Sequence, residues 1–214
     1  MNLDGTPDEE DLDFYSRYGP WDVLDPGGAQ ELMRGYDRDW WVIGGHAIEA
    51  FTGVPRPHED CDVAVFGKDL DLLRAHLSPR FHLWSVGSGA LRPLNDRFPE
   101  LPEWAGQVWC REHALAPWQL DLNVNPDQDG RWLSKRDPSH AVDLDEVTWT
   151  DERGIRYLDP EVTLLFKALQ DRPKDVHDLE VAWPMLSAAQ RAWLRDALER
   201  VYPDHPWNQR LARA

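Results

Sequence analysis

The chain has 214 residues, 42% hydrophobic and 29% charged, with 14 Gly and 17 Pro; these proportions exclude collagen-like and wholly disordered chains. Thirty-nine acidic side chains against 23 basic ones give a net charge of −16, a surface that repels nucleic acid and anionic membranes and that fits either attraction of a cationic substrate or a general solubility trait. Two cysteines, Cys61 and Cys110, build no disulfide framework, and no apolar run approaches the roughly 20 residues of a membrane span.

Residues 1–13 hold six acids and no base and are expected to form a loose acidic tail. With neither a basic leader nor an apolar run at the start, the expected location is the cytoplasm. Asp25 and Pro26 open a short helix as cap and first position. DWWVIGG reads as a strand ending in a glycine turn. A short helix follows over His46–Phe51, with Ala47, Ile48 and Phe51 as its apolar face. GVPRPHED is a proline-broken loop. CDVAVF alternates, with Cys61, Val63 and Val65 on one face. KDLDLLRAHL is a helix with Leu70, Leu73 and Leu77 inward. FHLWSV, GALRPL and VWCREH read as strands, and so does RWLSKR. WQLDLNVN alternates most cleanly: Leu120, Leu122 and Val124 face one way, Gln119, Asp121 and Asn123 the other. Asp159-Pro160-Glu161 is a helix start. PKDVHDLEVAW is a second helix, and a capping box at Ser187 and Gln190 opens a third. The expected architecture is α+β: a mixed sheet with flanking helices over 14–158, then a small helical region over 159–214.

Asp60 and Asp62 open a strand, and side chains two apart on a strand share a face. Adjacent carboxylates repel unless a cation sits between them, and oxygen ligands suit a hard divalent ion such as magnesium. D-x-D alone also fits a loop cap followed by a polar strand face. Asp121, mid-strand opposite Leu120 and Leu122, completes a three-carboxylate site if its strand lies beside the 60–66 strand. Three carboxylates can hold one or two magnesium ions on a nucleotide's phosphates and a substrate hydroxyl. Asp121 as metal ligand and Asp121 as proton acceptor both stay open. Gly44-Gly45 ends a strand before a helix, where bare backbone N–H groups can close on a phosphate. It is neither a Walker A loop nor a dinucleotide fingerprint.

Together these pieces are specific. WVIGGHAIEAFTGVPRPHEDCDVAVF resembles the nucleotidyltransferase superfamily, with its polymerase-beta-like fold. It is most similar to the small antibiotic-modifying adenylyltransferases that act on aminoglycosides and lincosamides. Gly44, Gly45, Asp60 and Asp62 match that pattern, and Asp121 corresponds to its third carboxylate. His46 sits where the pattern tolerates a bulky residue. Arg56-Pro57-His58-Glu59 loosely resembles the family's Arg-x-His-x-Asp run. YLDPEVTLLFKALQDRPKDVHDLE resembles the later helices of these enzymes and of abortive-infection-type nucleotidyltransferases, through Lys167, Arg172, Lys174, Asp175 and Asp178. The resemblance spans residues 38–182. The serine usual near the Gly pair is absent, and Val42-Ile43 stands before it.

The resemblance implies magnesium-dependent transfer of a nucleoside monophosphate, AMP from ATP, to a hydroxyl of a small acceptor, with release of pyrophosphate. An aminoglycoside-like or lincosamide-like acceptor suits the family, and a cationic one suits the net charge. Asp60, Asp62 and Asp121 would hold the metal; Gly44, Gly45, His46, Lys167 and Lys174 would meet the nucleotide. Two alternatives remain: transfer to a protein or RNA partner, as in toxin–antitoxin pairs, and a non-catalytic binding protein of the same fold. Other roles compete for single residues. Lys167 also fits a snorkelling or acid-paired lysine, and Lys174 with Asp178 an ordinary helix ion pair. Arg172 and Asp175 fit a helix cap, and His46 and His58 fit turn histidines. Cys61 reads as a small buried hydrophobe. Cys110 and His113 lack the second ligand pair of a structural zinc site. Trp104, Trp109 and Trp118 are core or rim residues, one of them available to stack on a base or sugar.

Overall fold

The protein is described by a computed structural model, which covers residues 1–22 and 24–213. The chain opens with helices α1 (Glu9–Tyr18) and α2 (Pro26–Leu32), then strand β1 (Trp40–Val42), helix α3 (Gly44–Thr52) and strand β2 (Asp62–Phe66). Helix α4 (Leu70–Leu77) leads to β3 (His82–Gly87), β4 (Ala90–Leu94), β5 (Gln107–Arg111) and β6 (Leu120–Asn125). Short strands β7 (Asp127–Gln128), β8 (Arg131–Leu133), β9 (Ala141–Val142), β10 (Thr148–Thr150) and β11 (Arg156–Leu158) follow. The rest is helical: α5 (Pro160–Ala168), α6 (Pro173–Ala182), α7 (Ala188–Val201) and α8 (Pro206–Ala212).

Eight strands form a mixed sheet in the order β10-β11-β1-β2-β6-β5-β3-β4, and β7-β8-β9 form a small second sheet. The architecture is α+β, as the sequence implies. β2 and β6, the two strands carrying the aspartates, are parallel neighbours in the middle of the large sheet. Alternation gives each of them two distinct faces. Cys61, Val63, Val65, Leu120 and Leu122 bury on one face, against Ala29 of α2, Met33 at its C-terminal end, and Leu73 and Leu77 of α4. The opposite face of β2 is also dry: Ala64 and Phe66 pack with Trp41, Trp132 and Leu158. Helices α2 and α4 cover one face, and Trp132 of β8, Leu144 and Val162 of α5 cover the other, so Asp62 lies at the open end of an otherwise buried row.

The helical region has its own core, in which Ile48 of α3 packs with Leu164, Leu179, Leu198 and Trp207. Full burial of each such side chain contributes roughly 1.5–3 kcal/mol. Ile48 thereby ties the helix that follows the glycine turn to the C-terminal bundle. No helix among the described residues is long and apolar enough to cross a membrane.

The acidic start departs from the expected loose tail. Asp8 caps α1 and exchanges hydrogen bonds with Asp11 in a capping box. Asp11 is buried, and the Met1 ammonium lies 2.5 Å from it and 2.6 Å from Glu59. Phe14 meets the Trp109 ring edge-on at 5.5 Å. Charge composition hides this helix because Asp8 and Asp11 cap it and meet the Met1 ammonium, and Asp13 pairs with Arg17. Asp159 holds the N-cap position of α5, as its sequence implies, but its side chain makes no capping hydrogen bond.

Candidate functional site

Asp62 and Asp121 are direct register partners on β2 and β6, and Asp60 precedes β2 by two residues. One carboxylate oxygen from each of the three lies within 4.8 Å of the other two. Asn123 Nδ2 donates to Asp62 Oδ1 at 3.2 Å, and Gln107 Nε2 donates to Asp121 Oδ2 at 2.7 Å. The other Asp121 oxygen, Oδ1, is buried with no partner among the described residues. Burial raises all three acids from their ordinary values, Asp60 to about 8 and Asp121 well above the carboxylate range. The charge of Asp62 adds to this at Asp60, and the charges of Asp62 and Asp60 add to it at Asp121. At Asp62, Lys167 and the Asn123 bond partly offset it. Three buried, mutually repelling carboxylates with an orphaned oxygen form a donor set that could hold a metal ion. Their hard oxygens fit magnesium.

The two glycines are required by close packing. Gly44 has φ +70°, and a Cβ there would come 2.5 Å from Asp62 Oδ2. A Cβ on Gly45 would overlap the Arg56 guanidinium and lie 2.7 Å from His58 Nδ1. The pair therefore lets Asp62 and Arg56 press against the turn, and α3 begins at Gly44 itself. Both glycines and all three aspartates line one cavity of about 290 Å³, with Lys167 on its wall.

Lys167 is buried and held by Asp175 at 3.1 Å and Asp178 at 2.8 Å. Arg56 forks onto Asp178 through Nε (2.8 Å) and Nη2 (2.9 Å). Arg172 pairs with Asp175 at 2.8 Å, and its backbone N–H donates to the same carboxylate at 3.1 Å. Burial alone would raise Asp175 and Asp178, but hydrogen bonds and charge from these cations outweigh it and hold both low. Lys167 is thus an acid-paired lysine on the cavity wall. Lys174 does not pair with Asp178, because Arg56 and Lys167 already occupy that carboxylate. It reaches Glu59 instead, at 2.6 Å.

His46 lies in the first turn of α3 rather than in a turn between elements. Its ring stacks on His58 at 3.7 Å, with 22° between planes, and its buried Nε2 has no partner among the described residues. Burial, then the His58 neighbour, lowers it to about 4, so it is neutral at physiological pH. Arg56 Nη1 lies 3.3 Å from His58 Nδ1 and can only donate, so Nδ1 accepts and Nε2–H donates to Glu49 at 2.7 Å. His46, Glu49 and His58 also have metal-ligand spacing. Both nitrogens of His58 are nevertheless spent, and a guanidinium sits beside them, which disfavours a cation there.

Comparison with solved structures bears on the fold. No protein-family model matches the chain, and no curated protein matches it in sequence. Its fold is similar to the solution structure of the antibiotic-resistance factor ANT(2'')-Ia, with TM-score 0.51, 17% identity, and coverage of 81% of this chain and 88% of that one. It is also similar to ANT(2'')-Ia in complex with adenylyl-2''-tobramycin, with TM-score 0.52, 16% identity, and coverage of 80% and 93%. The lincosamide antibiotic adenylyltransferase LnuA, lincomycin-bound, gives TM-score 0.51, 16% identity, and coverage of 74% and 96%. The fold is nucleotidyltransferase-like.

Within that nucleotidyltransferase-like fold, the cavity continues into two neighbours. One, of about 750 Å³, includes Trp109, Asp60 and Glu59; the other, of about 400 Å³, includes Trp132, Lys135 and Arg136. Of the three tryptophans considered from sequence, Trp118 is core, Trp104 is 38% exposed and Trp109 lines the larger chamber. Cys61 and Cys110 are buried free thiols. Sequence reasoning missed Gln107, Asn123, Glu49, Lys135 and Arg136. Gln107 and Asn123 are cross-strand partners on β5 and β6, a pairing that no local pattern announces.

Proposed function

We propose that the protein is a magnesium-dependent nucleotidyltransferase. It would move a nucleoside monophosphate, AMP from ATP, to a hydroxyl of a small molecule. The observation that carries the reading is the triad of Asp60, Asp62 and Asp121, which a divalent cation would relieve of its mutual repulsion. Held by these three carboxylates, magnesium would neutralise phosphate charge and polarise the phosphoryl group under attack. The remaining work falls to the chain. Gly44 and Gly45 offer backbone N–H groups at the start of α3, where anions are favoured. The Arg56–Asp178–Lys167–Asp175 network fixes the turn against α5 and α6, its two cations balanced by its two carboxylates. Neutral His46 faces the same cavity as a nucleotide contact.

Asp121 accepts the proton of the acceptor hydroxyl at Oδ1, the oxygen that Gln107 leaves free. The hydroxyl oxygen then bonds to the α-phosphorus, and the bond to the pyrophosphate oxygen breaks. The acidic surface and the modest size of the cleft favour a small, cationic acceptor over a polyanion, and the named ligands of the similar folds are antibiotics. The test is incubation with ATP, GTP, CTP or UTP, with magnesium, against aminoglycosides and lincosamides, followed by mass spectrometry. A gain of one nucleoside monophosphate on an acceptor is the expected result. Absence of any such product across all four nucleotides and both acceptor classes counts against a small antibiotic acceptor. Absence of pyrophosphate release as well counts against the enzyme.

A further inference from the structure

Four cations on the cleft wall are already spent. Arg56, Lys167, Arg172 and Lys174 each pair with a carboxylate. Arg136 and Lys135 have no ion-pair partner among the described residues. Arg136 lies on the boundary of two chambers, the one holding Gly44, Gly45 and the three aspartates and the one beyond it. Its guanidinium stands over the Phe166 ring at 5.4 Å, and its buried Nε has no hydrogen-bond acceptor. Lys135 lines the second chamber, close enough for Asp121 to act on its charge. An orphaned guanidinium donor in a cavity costs free energy unless a ligand meets it.

The loop carrying them is built to stay in place. Ser134 Oγ accepts from the backbone N–H of Arg136 at 3.2 Å and of Asp137 at 3.1 Å. Asp137, the nearest acid in sequence, does not neutralise Arg136. It is taken by Arg200 of α7 at 2.7 Å and by Ser139 at 2.5 Å. Asn125 donates to the Leu133 carbonyl at 3.1 Å and ties the start of the loop to the end of β6.

We propose that Arg136, assisted by Lys135, forms an anion-binding subsite for the diphosphate end of a polyphosphate ligand. Guanidinium forks match phosphate oxygens, and lysine adds a point charge. The identification of that ligand as a nucleoside triphosphate rests on the transfer reading above; the diphosphate site does not. In that reaction the same pair holds the pyrophosphate as it leaves.

Isothermal titration at fixed magnesium tests this with ATP, AMP, inorganic pyrophosphate and glucose 6-phosphate. Arg136→Gln keeps a chain long enough to cover Phe166. It is expected to weaken pyrophosphate and ATP roughly 10–100-fold and AMP by less than about two-fold. Lys135→Ala is expected to weaken the same two ligands several-fold. In the parent, pyrophosphate but not AMP is expected to protect Arg136 from phenylglyoxal, mapped by mass spectrometry, a readout that needs no variant to fold. Unchanged pyrophosphate affinity, equal weakening of ATP and AMP, or no protection overturns the subsite. Glucose 6-phosphate binding as tightly as pyrophosphate overturns the diphosphate assignment in favour of a phosphorylated acceptor. A parent that binds pyrophosphate through Arg136 but transfers nothing removes the transfer reading and keeps the subsite. Transfer by Arg136→Gln with an unchanged KM for ATP does the reverse.

Discussion

Asp62 and Asp121 stand as register partners on the parallel strands β2 and β6, and Asp60 brings a third carboxylate oxygen within 4.8 Å of theirs. Such a cluster is costly without a cation. In metal-free buffer, Asp121→Asn is expected to be more stable than the parent by about 1–2 kcal/mol, because one of three repelling buried charges is gone. Magnesium should raise the Tm of the parent more than that of the variant. Thermal melts with EDTA and with magnesium check both signs.

Lys167 and Lys174, paired alike in the resemblance, should separate on substitution. Lys167→Ala leaves Asp175 and Asp178 short of a buried counter-charge and is expected to cost about 3–5 kcal/mol. Lys174→Ala breaks a less buried pair with Glu59 and is expected to cost about 0–1 kcal/mol. Urea unfolding of the two variants distinguishes them.

Gly44→Ala forces a side chain into a left-handed backbone position and against Asp62 Oδ2. It is expected to cost about 1–3 kcal/mol and to weaken magnesium binding along with stability. Gly45→Ala has ordinary φ and meets Arg56 and His58 instead, so it should disturb the Asp178 network. Paired measurements of Tm and magnesium affinity read the contrast.

Burial, then the neighbouring Glu161, raises Asp159 to about 7. A carboxyl raised in the folded state binds its proton more tightly there than in the unfolded chain. Its contribution is fully present below the unfolded value of about 4 and is lost as pH rises through about 7. Asp159→Asn should therefore gain on the parent in Tm between pH 4 and pH 8, and a flat difference across that range would refute the assignment.

Much of this was legible in sequence because it is local. Strand alternation placed Leu120 and Leu122 opposite Asp121, and Asp25-Pro26 and Ser187-Gln190 marked helix starts that the structure shows. The glycine pair was legible as a turn, but the Asp62 and Arg56 contacts that demand it join residues far apart in the chain. The same holds for Lys174, whose acid partner lies 115 residues away rather than four. The role of Arg136 depends on what its neighbours are bonded to, and no spacing encodes that. The acidic helix α1 was missed because six acids outweigh, in any composition measure, the capping box that Asp8 and Asp11 form.

With an acceptor in hand, Asp121→Asn should keep nucleotide binding and lose about 10²–10⁴-fold in transfer if Asp121 is chiefly the base. A parallel fall in magnesium affinity would instead make it chiefly a ligand. Single-turnover transfer and nucleotide titration on the same sample separate the two.

The most direct measurement is calorimetric titration of magnesium·ATP into the parent and into Asp62→Asn, which keeps shape and removes one negative charge. The carboxylate-centred account predicts clear binding by the parent and a fall of about 10-fold or more in the variant, a loss of roughly 1.4 kcal/mol or greater. Equal affinity of the two proteins for magnesium·ATP would contradict it.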